Sequence, residues 1–333
     1  MFAPLSWLYG MAVWLRHLLY NMHLFQSHRV SVPTICVGNL ALGGTGKTPH
    51  VEWLIEHLKE HYHVAVVSRG YKRRSHGFQV ATKDSTALQL GDECMQLHSK
   101  YPDIPLAVCA NRVEGIQRLC RMYPDIDVVL LDDAYQHRQL RCGYYILLTT
   151  ADRLYIDDHL LPWGHLRDLP SRSLKANAVV VTKCPDTMTA IDRRIIINRL
   201  HLPAYQSLYF STTCYAQLPK QIAALPEDSQ VVMLTGIARP EFLQAYLSRH
   251  FSDIRPMVYP DHHTFTRKDI ERIEQAAQTA AMVFTTEKDY ARLNTLALSK
   301  TLKRKLYPVP ITVSLTDDTL LIDQLKRYIK TCI

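Results

Sequence analysis

The strongest constraint on the fold is the stretch 38–49, which reads Gly-Asn-Leu-Ala-Leu-Gly-Gly-Thr-Gly-Lys-Thr-Pro. It follows a short apolar, β-branched run at 32–37 and precedes a segment at 50–58 with helical character. A strand, a glycine-rich turn and a helix in this order form a cradle for phosphate groups. The reason is that backbone N–H groups of the turn and the positive end of the helix both face the anion. The sequence therefore predicts a nucleotide-binding chain.

The turn carries side chains suited to a triphosphate and its metal ion. Lys47 can reach the outer phosphates, and the hydroxyl of Thr48 can coordinate Mg²⁺. The strict pattern of such loops begins with glycine where this chain has Ala41, but the flanking strand and helix provide the expected context. The residues predicted to bind the nucleotide are Gly43, Gly44, Thr45, Gly46, Lys47 and Thr48.

Beyond this loop, apolar runs and helical segments alternate along the chain. Strands are predicted at 64–67, 106–109, 128–131 and 144–149, with helices at 88–99 and 113–123. A second series has strands at 178–182, 205–210, 231–235, 256–259 and 282–285, and helices at 191–200, 240–250 and 267–280. Such alternation indicates parallel strands with crossover helices. We therefore expect a P-loop NTPase-like α/β/α sandwich.

The alternation pauses at 151–176, a stretch rich in Asp, Pro, Arg and Leu without clear periodicity. A stretch of this kind is typical of a domain boundary that carries a functional loop. The sequence thus predicts two domains. Residues 1–150 would form an N-terminal helix and the nucleotide-binding domain, and residues 151–333 a second, smaller α/β/α domain with linker segments.

Composition narrows the class of protein and of partner. The chain has 333 residues, 47% of them hydrophobic, which is typical of a globular protein with one large or two medium cores. Its net charge of +8 favours an acidic partner such as nucleic acid, a phosphorylated small molecule or an anionic membrane. The eight cysteines include no C-x-x-C pair, so neither a zinc site nor a disulfide framework is indicated. A reduced cytoplasmic setting fits best.

The segment 1–25 is apolar and aromatic, but it lacks a signal-peptide cleavage site and is too short to cross a bilayer cleanly. On a helix, Leu8, Met11 and Leu15 would share one face, whereas Ser6 and His17 would lie on another. This pattern fits two alternatives equally well: an interfacial helix lying on a membrane, and an ordinary core helix.

Two acidic pairs are candidates for metal binding and catalysis. Four apolar residues lead to Asp132 and Asp133, as expected where a buried strand delivers carboxylates to a metal at its carboxyl end. Asp92 and Glu93 follow Gly91 ahead of a helical stretch, where helix capping is a sufficient explanation. In a kinase, however, a carboxylate must accept the proton of the attacking hydroxyl or hold the metal, so both are candidates for those roles.

Two further clusters combine groups that carry chemistry. The run Asp261-His262-His263 places an acid and two imidazoles just after a predicted strand, as a proton relay or, less favourably, as metal ligands. The basic turn 69–74 and Arg167 in the irregular stretch have the usual explanation of a solvated surface. A phosphorylated or anionic lipid substrate would use them as a clamp.

Together and in this order, these motifs resemble the tetraacyldisaccharide 4'-kinase family, which phosphorylates a lipid A precursor at the inner membrane of Gram-negative bacteria. Besides the glycine-rich loop, the matching segments are Ser68-Arg-Gly-Tyr71, Gly91-Asp-Glu93, Asp132-Asp-Ala-Tyr-Gln-His137, Leu161-Pro-Trp-Gly-His-Leu-Arg167, Thr235-Gly-Ile-Ala-Arg-Pro240, Asp261-His-His263 and Thr285-Thr-Glu-Lys-Asp289. The family's Asp-Asp-Gly-Phe-Gln-His box has Ala134 and Tyr135 here, which affects local packing more than chemistry.

The resemblance implies a membrane-associated enzyme of two α/β/α lobes, joined by a short strand linker, that close around MgATP. It would transfer the γ-phosphoryl group to the 4'-hydroxyl of an acylated glucosamine disaccharide 1-phosphate. Asp92 would activate that hydroxyl with help from His262, and Lys47 would stabilise charge on the phosphates. The residues implied to handle Mg²⁺ and nucleotide are Thr48, Glu93, Asp132 and Asp133, and those facing the lipid are Asn39, Arg69 and Arg167.

The same resemblance places the protein at the cytoplasmic face of the inner membrane as a peripheral protein, held there by its N-terminal segment. The expected partners are the disaccharide lipid and the membrane surface. No nucleic acid and no obligate protein partner are predicted.

Three other functions share parts of the pattern. A ParA/MinD-like ATPase switch carries a lysine just before the double glycine, where this chain has Leu42. A GTPase needs an Asn/Thr-Lys-x-Asp segment, but Thr182-Lys-Cys-Pro185 has proline in the aspartate position. Nucleic-acid binding would account for the charge, but no recognisable module supports it.

Overall fold

The computed structural model of the chain describes residues 3–237, 239–261, 263–294 and 296–332. Its strands are β1 Thr34–Asn39, β2 Val64–Ser68, β3 Gln79–Val80, β4 Leu106–Val108, β5 Val128–Asp132, β6 Tyr144–Thr150, β7 Ala178–Thr182, β8 Ser207–Tyr215, β9 Val231–Thr235, β10 Ile254–Val258, β11 Met282–Thr286, β12 Leu306–Val309 and β13 Ile311–Leu315. Its helices are α1 Ala3–Asn21, α2 Lys47–Leu58, α3 Ala87–Leu90, α4 Asp92–Lys100, α5 Arg112–Met122, α6 Ala190–Leu200, α7 Lys220–Ala223, α8 Glu241–Leu247, α9 Arg267–Thr279, α10 Glu287–Leu293, α11 Lys300–Lys305 and α12 Asp318–Cys332, with a 3-10 helix at Pro170–Lys175.

Strand β1 lies in the middle of the larger sheet, whose order in the described residues is β13-β8-β7-β6-β1-β5-β2-β4-β3. It pairs in parallel with β5 on one side and β6 on the other. All of its residues are buried, as expected for a parallel strand that is covered on both faces. The carboxyl end of β1 therefore delivers the glycine-rich loop to the centre of the sheet edge.

Alternate side chains of the strands enter separate cores on the two faces of this sheet. Ile35 and Val37 belong to a cluster that includes residues of α2, α4 and α12, whereas Cys36 belongs to a cluster with residues of α5 and α6. This alternation follows from the period of two along a strand. The predicted α/β/α sandwich with a predominantly parallel sheet is thereby confirmed.

A smaller parallel sheet has the order β10-β9-β11-β12 within the described residues. It also has a core on each face, one formed with residues of α9, α10 and α11 and the other with residues of α8. The chain passes between the sheets through β8 and β13, which pair antiparallel at the edge of the larger sheet.

The change from one sheet to the other falls well beyond residue 150. Both β7 and β8 continue the larger sheet next to β6, and β13 joins it from near the carboxyl terminus. The sequence-based boundary at residue 150 therefore does not coincide with the change of sheet. Pairing decides which sheet a strand joins, and a hydrophobic pattern carries no information about pairing partners.

The element pattern differs from the prediction at two places. The helix expected at 88–99 is divided into α3 and α4, because Gly91 has a φ of 88° that breaks the helical path. The elements after residue 286 were not predicted. Pro308 within β12 and Pro310 directly after it interrupt the sequence pattern of a strand. In α12, by contrast, Leu321 and Leu325 are buried at a helical spacing.

Helix α1 turns its polar side towards the protein and its apolar side outwards. Ser6, His17 and Tyr20 are its buried residues. The exposed large apolar side chains of the helix are Leu5, Trp7, Leu8, Met11, Trp14 and Leu15. An ordinary core helix would bury the opposite side, so that alternative is excluded. No helix in the described residues combines the length and the apolar character needed to cross a bilayer.

Polar contacts fasten α1 to the irregular stretch after β6. The hydroxyl of Ser6 donates to the carbonyl of Leu160 at 2.8 Å, and that of Tyr9 donates to the carbonyl of Arg167 at 2.9 Å. The buried ring of His17 lies 2.6 Å from Oδ1 of Asp168 through Nε2. These hydrogen bonds fix the orientation of the helix without using its apolar side.

We predict that Gly38→Ala destabilises the protein, because a Cβ at this position would lie 2.5 Å from Cβ of the buried Tyr135. Overpacking of this kind costs about 1–3 kcal/mol. Urea unfolding should show the loss. As a control, Gly44→Ala places its Cβ 3.9 Å from the flexible Lys183 Nζ and should change the free energy of unfolding by less than about 0.5 kcal/mol. Equal stability of the two variants would contradict the packing account.

Candidate active site

The glycine-rich loop turns at two residues with positive φ. The value is 111° at Gly43 and 87° at Gly46, a region that glycine adopts without strain. A Cβ on Gly43 would meet no described atom within 4 Å. The backbone at this position therefore borders open space into which a phosphate group can approach closely.

The loop leads directly into helix α2, whose first residues are Lys47 and Thr48. Gly46 precedes the helix and provides no side-chain cap. The first N–H groups of α2 and the positive end of its dipole are thus available to an anion held by the loop. This is the arrangement that the sequence predicted for a phosphate site.

His50 supports the loop from within the protein. Its Nδ1 lies 2.7 Å from the carbonyl oxygen of Gly46, and its Nε2 lies 2.9 Å from the hydroxyl of Ser211 on β8. Because a carbonyl only accepts, Nδ1 carries the proton and Nε2 accepts from the hydroxyl. Burial lowers the pKa of His50 to about 4, so the ring is neutral at pH 7 and keeps both contacts.

Asp132 ends β5 and is buried beside β1. Its Oδ1 has no hydrogen-bond partner among the described residues. Burial, and then the charges of Glu93 and Asp133, raise its pKa to about 7, although Lys47 opposes the shift. A buried carboxylate without a partner is costly, and a divalent cation at this oxygen would remove that cost.

Asp133 is held by two cations. Arg167 donates to both of its carboxylate oxygens, and Nζ of Lys47 lies 3.9 Å from Oδ1. Burial alone would raise the pKa of the Asp133 carboxyl, but the hydrogen bonds from Arg167 and the charge of Lys47 hold it below its usual value. Arg167 also donates to Oδ1 of Asn39, whose amide donates to the hydroxyl of Thr45 at 2.8 Å. One network thus connects the acidic pair with the glycine-rich loop.

The irregular stretch 151–176 lies beside the glycine-rich loop. The N–H of Leu42 donates to the carbonyl of His165 at 2.7 Å, and the N–H of Arg167 donates to that of Leu40 at 2.8 Å. A cavity of about 210 Å³ opens between the two segments, and Lys183 on the loop after β7 lines part of it. The stretch therefore forms one wall of the candidate site, as its position in the sequence suggested.

Asp92 and Glu93 begin helix α4, and each is paired with a residue of α10. Nη2 of Arg292 lies 3.1 Å from Oδ2 of Asp92, and Nζ of Lys288 lies 3.7 Å from Oε1 of Glu93. The charge of Glu93 contributes to the raised pKa of Asp132. The start of α4 therefore lies near the end of β5, where the acidic pairs predicted from the sequence come together.

Of the predicted Asp-His-His cluster, His262 lies outside the described residues. Asp261 is exposed. The ring of His263 has its Nε2 3.0 Å from Oδ2 of Asp269, the carboxylate that also accepts from the N–H of Thr266 at the start of α9. His263 thus has a structural partner, and a pairing of His262 with Asp92 stays a prediction.

Arg112 and His137 lie at the same edge of the sheet and were not among the predicted site residues. Arg112 is buried and donates to the carbonyls of Cys109 and Ala110, while its Nε has no partner among the described residues. Burial first, and then the charge of Arg112, lower the pKa of His137 to about 4, and the exposed Arg69 adds to the same positive field. The sequence offered a clue to His137, because it lies in the family motif that begins at Asp132. It offered no clue to Arg112, because a single arginine at the start of a helix has no distinctive pattern.

The donor set fits Mg²⁺ bound together with phosphate groups. In the part of the chain that the structure describes, no three His, Cys, Asp or Glu side chains form a metal site by themselves. Mg²⁺ commonly takes one or two carboxylates and completes its shell with phosphate oxygens and water. Asp132 offers the unpartnered carboxylate oxygen, and Glu93 is close enough for its charge to act on that carboxylate. Thr48 follows Lys47 at the start of α2, and the charge of Lys47 also acts on Asp132.

A family profile and two curated relatives carry the same description. A profile of the family described as tetraacyldisaccharide-1-P 4'-kinase matches residues 1–330. The tetraacyldisaccharide 4'-kinase of Bacteroides thetaiotaomicron is 42% identical over 333 residues, which cover 94% of this chain and 88% of that protein. The protein of the same name from Porphyromonas gingivalis is 38% identical over 329 residues, which cover 95% and 92%.

Among solved structures, LpxK from Aquifex aeolicus in complex with ATP has the same fold, with a TM-score of 0.77, 23% identity and 98% of both chains covered. The sequence matches confirm the family predicted from the sequence, and with it the ATP-dependent kinase activity. The chain belongs to the tetraacyldisaccharide 4'-kinase family.

Proposed function

We propose that this protein transfers the γ-phosphoryl group of ATP to the 4'-hydroxyl of an acylated glucosamine disaccharide 1-phosphate, a lipid A precursor, with Asp92 as the base. The observation that carries this assignment is the buried carboxylate of Asp132, whose free oxygen lies beside the strand that leads into the glycine-rich loop. The positive charge of Lys47 acts on the same carboxylate. A metal and a triphosphate at this place would satisfy all of these groups together.

Residues 43–48 would hold the triphosphate through their N–H groups and the start of α2. Lys47 would stabilise charge on the outer phosphates, and its contact with Asp133 keeps the ammonium at the loop. Thr48, Asp132 and Glu93 would hold Mg²⁺. Asp133 would keep its contacts with Arg167 and Lys47. When bound, Mg²⁺ neutralises charge on phosphate oxygens and orients them.

Asp92 would accept the proton of the 4'-hydroxyl. It stands at the first position of α4, and its side chain is 35% exposed, so a substrate can reach it. Both contacts that Arg292 makes with it use Oδ2. Its Oδ1 makes no hydrogen bond with the other described residues, which leaves one carboxylate oxygen for the substrate. His262 is proposed to assist in this proton transfer.

The acceptor would bind along the edge formed by the positively charged Arg69 and Arg112 and the neutral ring of His137. The unpartnered Nε of Arg112 and Nε2 of His137 are donors or acceptors that a polar headgroup can satisfy. Arginine provides two donors in one plane for a phosphate group. Arg167 and Asn39, which bridge the acidic pair and the loop, would position the headgroup beside the phosphoryl donor.

We predict that Asp92→Asn lowers kcat by about 10²- to 10⁴-fold, because the amide cannot accept the proton. Affinity for ATP should stay within about twofold, since Asp92 is not placed at the phosphates. The measurement is transfer of γ-labelled phosphate from ATP to the detergent-dispersed disaccharide lipid. Asp127→Asn, which alters a carboxylate paired with His63 at the opposite end of β5, is the control and should keep full activity. Full turnover by Asp92→Asn would remove Asp92 from this role.

The protein is also proposed to rest on the cytoplasmic face of the inner membrane as a peripheral protein without an obligate protein partner. The outward apolar side of α1 supports this, because its exposed side chains can enter the interfacial region of a bilayer while the polar side stays fastened to the protein. A substrate with acyl chains would then stay in the membrane while its headgroup enters the site.

We predict that replacing Trp7, Met11 and Trp14 together by serine weakens binding to phosphatidylglycerol-containing vesicles by at least about tenfold, because burial of their apolar area drives insertion. Vesicle co-sedimentation measures this directly. A control replaces Phe242, Val258 and Leu320, large apolar side chains outside α1 that are 53–56% exposed, and should leave binding unchanged. Equal loss in both triple variants would refute a specific role of α1.

A further inference from the structure

We propose that Arg292 is a positioning residue that orients Asp92 for catalysis, and that Arg292 is itself fixed by the buried Asp289. This inference rests on the proposed function, in which Asp92 is the base. It adds Arg292 of α10, a helix that packs on the smaller sheet, to a site whose glycine-rich loop, Asp92 and Asp132 lie at the larger sheet.

Arg292 grips Asp92 through two donors. Its Nε and its Nη2 each lie 3.1 Å from Oδ2 of Asp92. Two donors of one planar group on a single oxygen restrict the rotation of the carboxylate more than one flexible ammonium would. The arginine side chain is only 12% exposed, so the pair is poorly screened by solvent and salt.

Asp289 holds the other side of the same guanidinium. Its Oδ1 accepts from Nη1 of Arg292 at 3.0 Å. Its Oδ2 accepts from the N–H of Gly236 at 2.8 Å and from the hydroxyl of Thr286 at 2.7 Å. Asp289 is completely buried, so each of its contacts is costly to lose. The arginine is thereby fixed to the end of β9 and the start of α10.

Two other ion pairs connect α4 and α10 in the described part of the chain, and both lack this support. Lys288 approaches Glu93 only to 3.7 Å, and both side chains are more than a third exposed. Lys100 lies 3.3 Å from Glu287 but is shared with Glu52. The exposed Lys288–Glu93 pair contributes little. Lys100 is less exposed, but its single flexible ammonium is divided between two carboxylates and so does not fix one geometry. Among the charged contacts between α4 and α10, the one at Asp92 is therefore the one built for fixed geometry.

As a consequence, the orientation of Asp92 is fixed by a residue from the other α/β unit, the one built on the smaller sheet. α4 packs in the core of the larger sheet, whereas α10 packs in a core of the smaller one. Asp92 is thus oriented only when the two bodies meet at this contact. The free Oδ1 is then presented in one orientation rather than several, which lowers the entropic cost of reaching the reactive geometry.

The test compares Arg292→Ala, Arg292→Lys and Arg267→Ala in the γ-phosphate transfer assay with the full-length protein. We expect kcat to fall about 10²-fold in Arg292→Ala, the scale of a misplaced group, with KM for ATP within about twofold. Arg292→Lys keeps a cation for Asp289, which maintains folding, and should recover at least about tenfold of the loss. Arg267→Ala should keep full activity, because it breaks only an exposed pair with Glu271 within α9.

A second measurement separates this inference from the proposed function. If Arg292 acts through Asp92, then Arg292→Ala combined with Asp92→Asn should be no slower than Asp92→Asn alone, because the effects are not additive. A full loss from Asp92→Asn together with unchanged kcat in both Arg292 variants would overturn this inference alone. An additional loss in the double variant would also overturn it. Full turnover by Asp92→Asn would overturn both proposals.

Discussion

The buried carboxylate of Asp132 at the end of β5 is the constraint on which the site depends. The strand is covered on both faces and its residues are buried, so the carboxylate cannot turn to solvent. Within the described residues one of its oxygens has no partner, and burial, followed by the charges of Glu93 and Asp133, raises its pKa to about 7. A cation bound beside the glycine-rich loop would convert this unfavourable group into a ligand, which is why the carboxylate and the loop belong to one site.

Much of the larger sheet follows from the sequence, because most of its strands are short, continuous apolar runs separated by segments of helical length. Three parts of the site were also predictable: the loop at Gly43 and Gly46, the acidic end of β5 and the start of α4. In each of them, particular residue types at a fixed spacing are needed for one chemical role. The placement of β13 was not predictable. Its pairing with β8 joins residues about a hundred positions apart, and no local pattern encodes such a partner.

The contacts that fix the loop and Asp92 in position could not be predicted from the sequence either. His50 braces the loop through Ser211, and Arg292 reaches Asp92 across 200 residues of sequence. Either residue alone looks like a routine polar side chain on a helix. Their roles appear only when the fold brings distant segments together, because hydrogen-bond geometry is a property of tertiary structure.

The N-terminal helix shows a related effect. Its composition fitted a core helix and an interfacial helix equally well, and only the burial of Ser6 and His17 separates the two. A helix that hides its polar side can do so only with partners for those groups, which the stretch near Leu160 and Asp168 supplies. The same stretch borders the glycine-rich loop. It therefore contacts both the helix that carries the exposed apolar surface and the candidate active site.

The most direct measurement is a crystal structure of the protein with Mg²⁺ and a non-hydrolysable ATP analogue. The account predicts that the β- and γ-phosphates lie against the N–H groups of residues 43–48. It also predicts that the metal lies about 2.1 Å from the hydroxyl of Thr48 and from the carboxylate of Asp132. A nucleotide bound elsewhere, or a metal whose shell excludes Asp132, would contradict it.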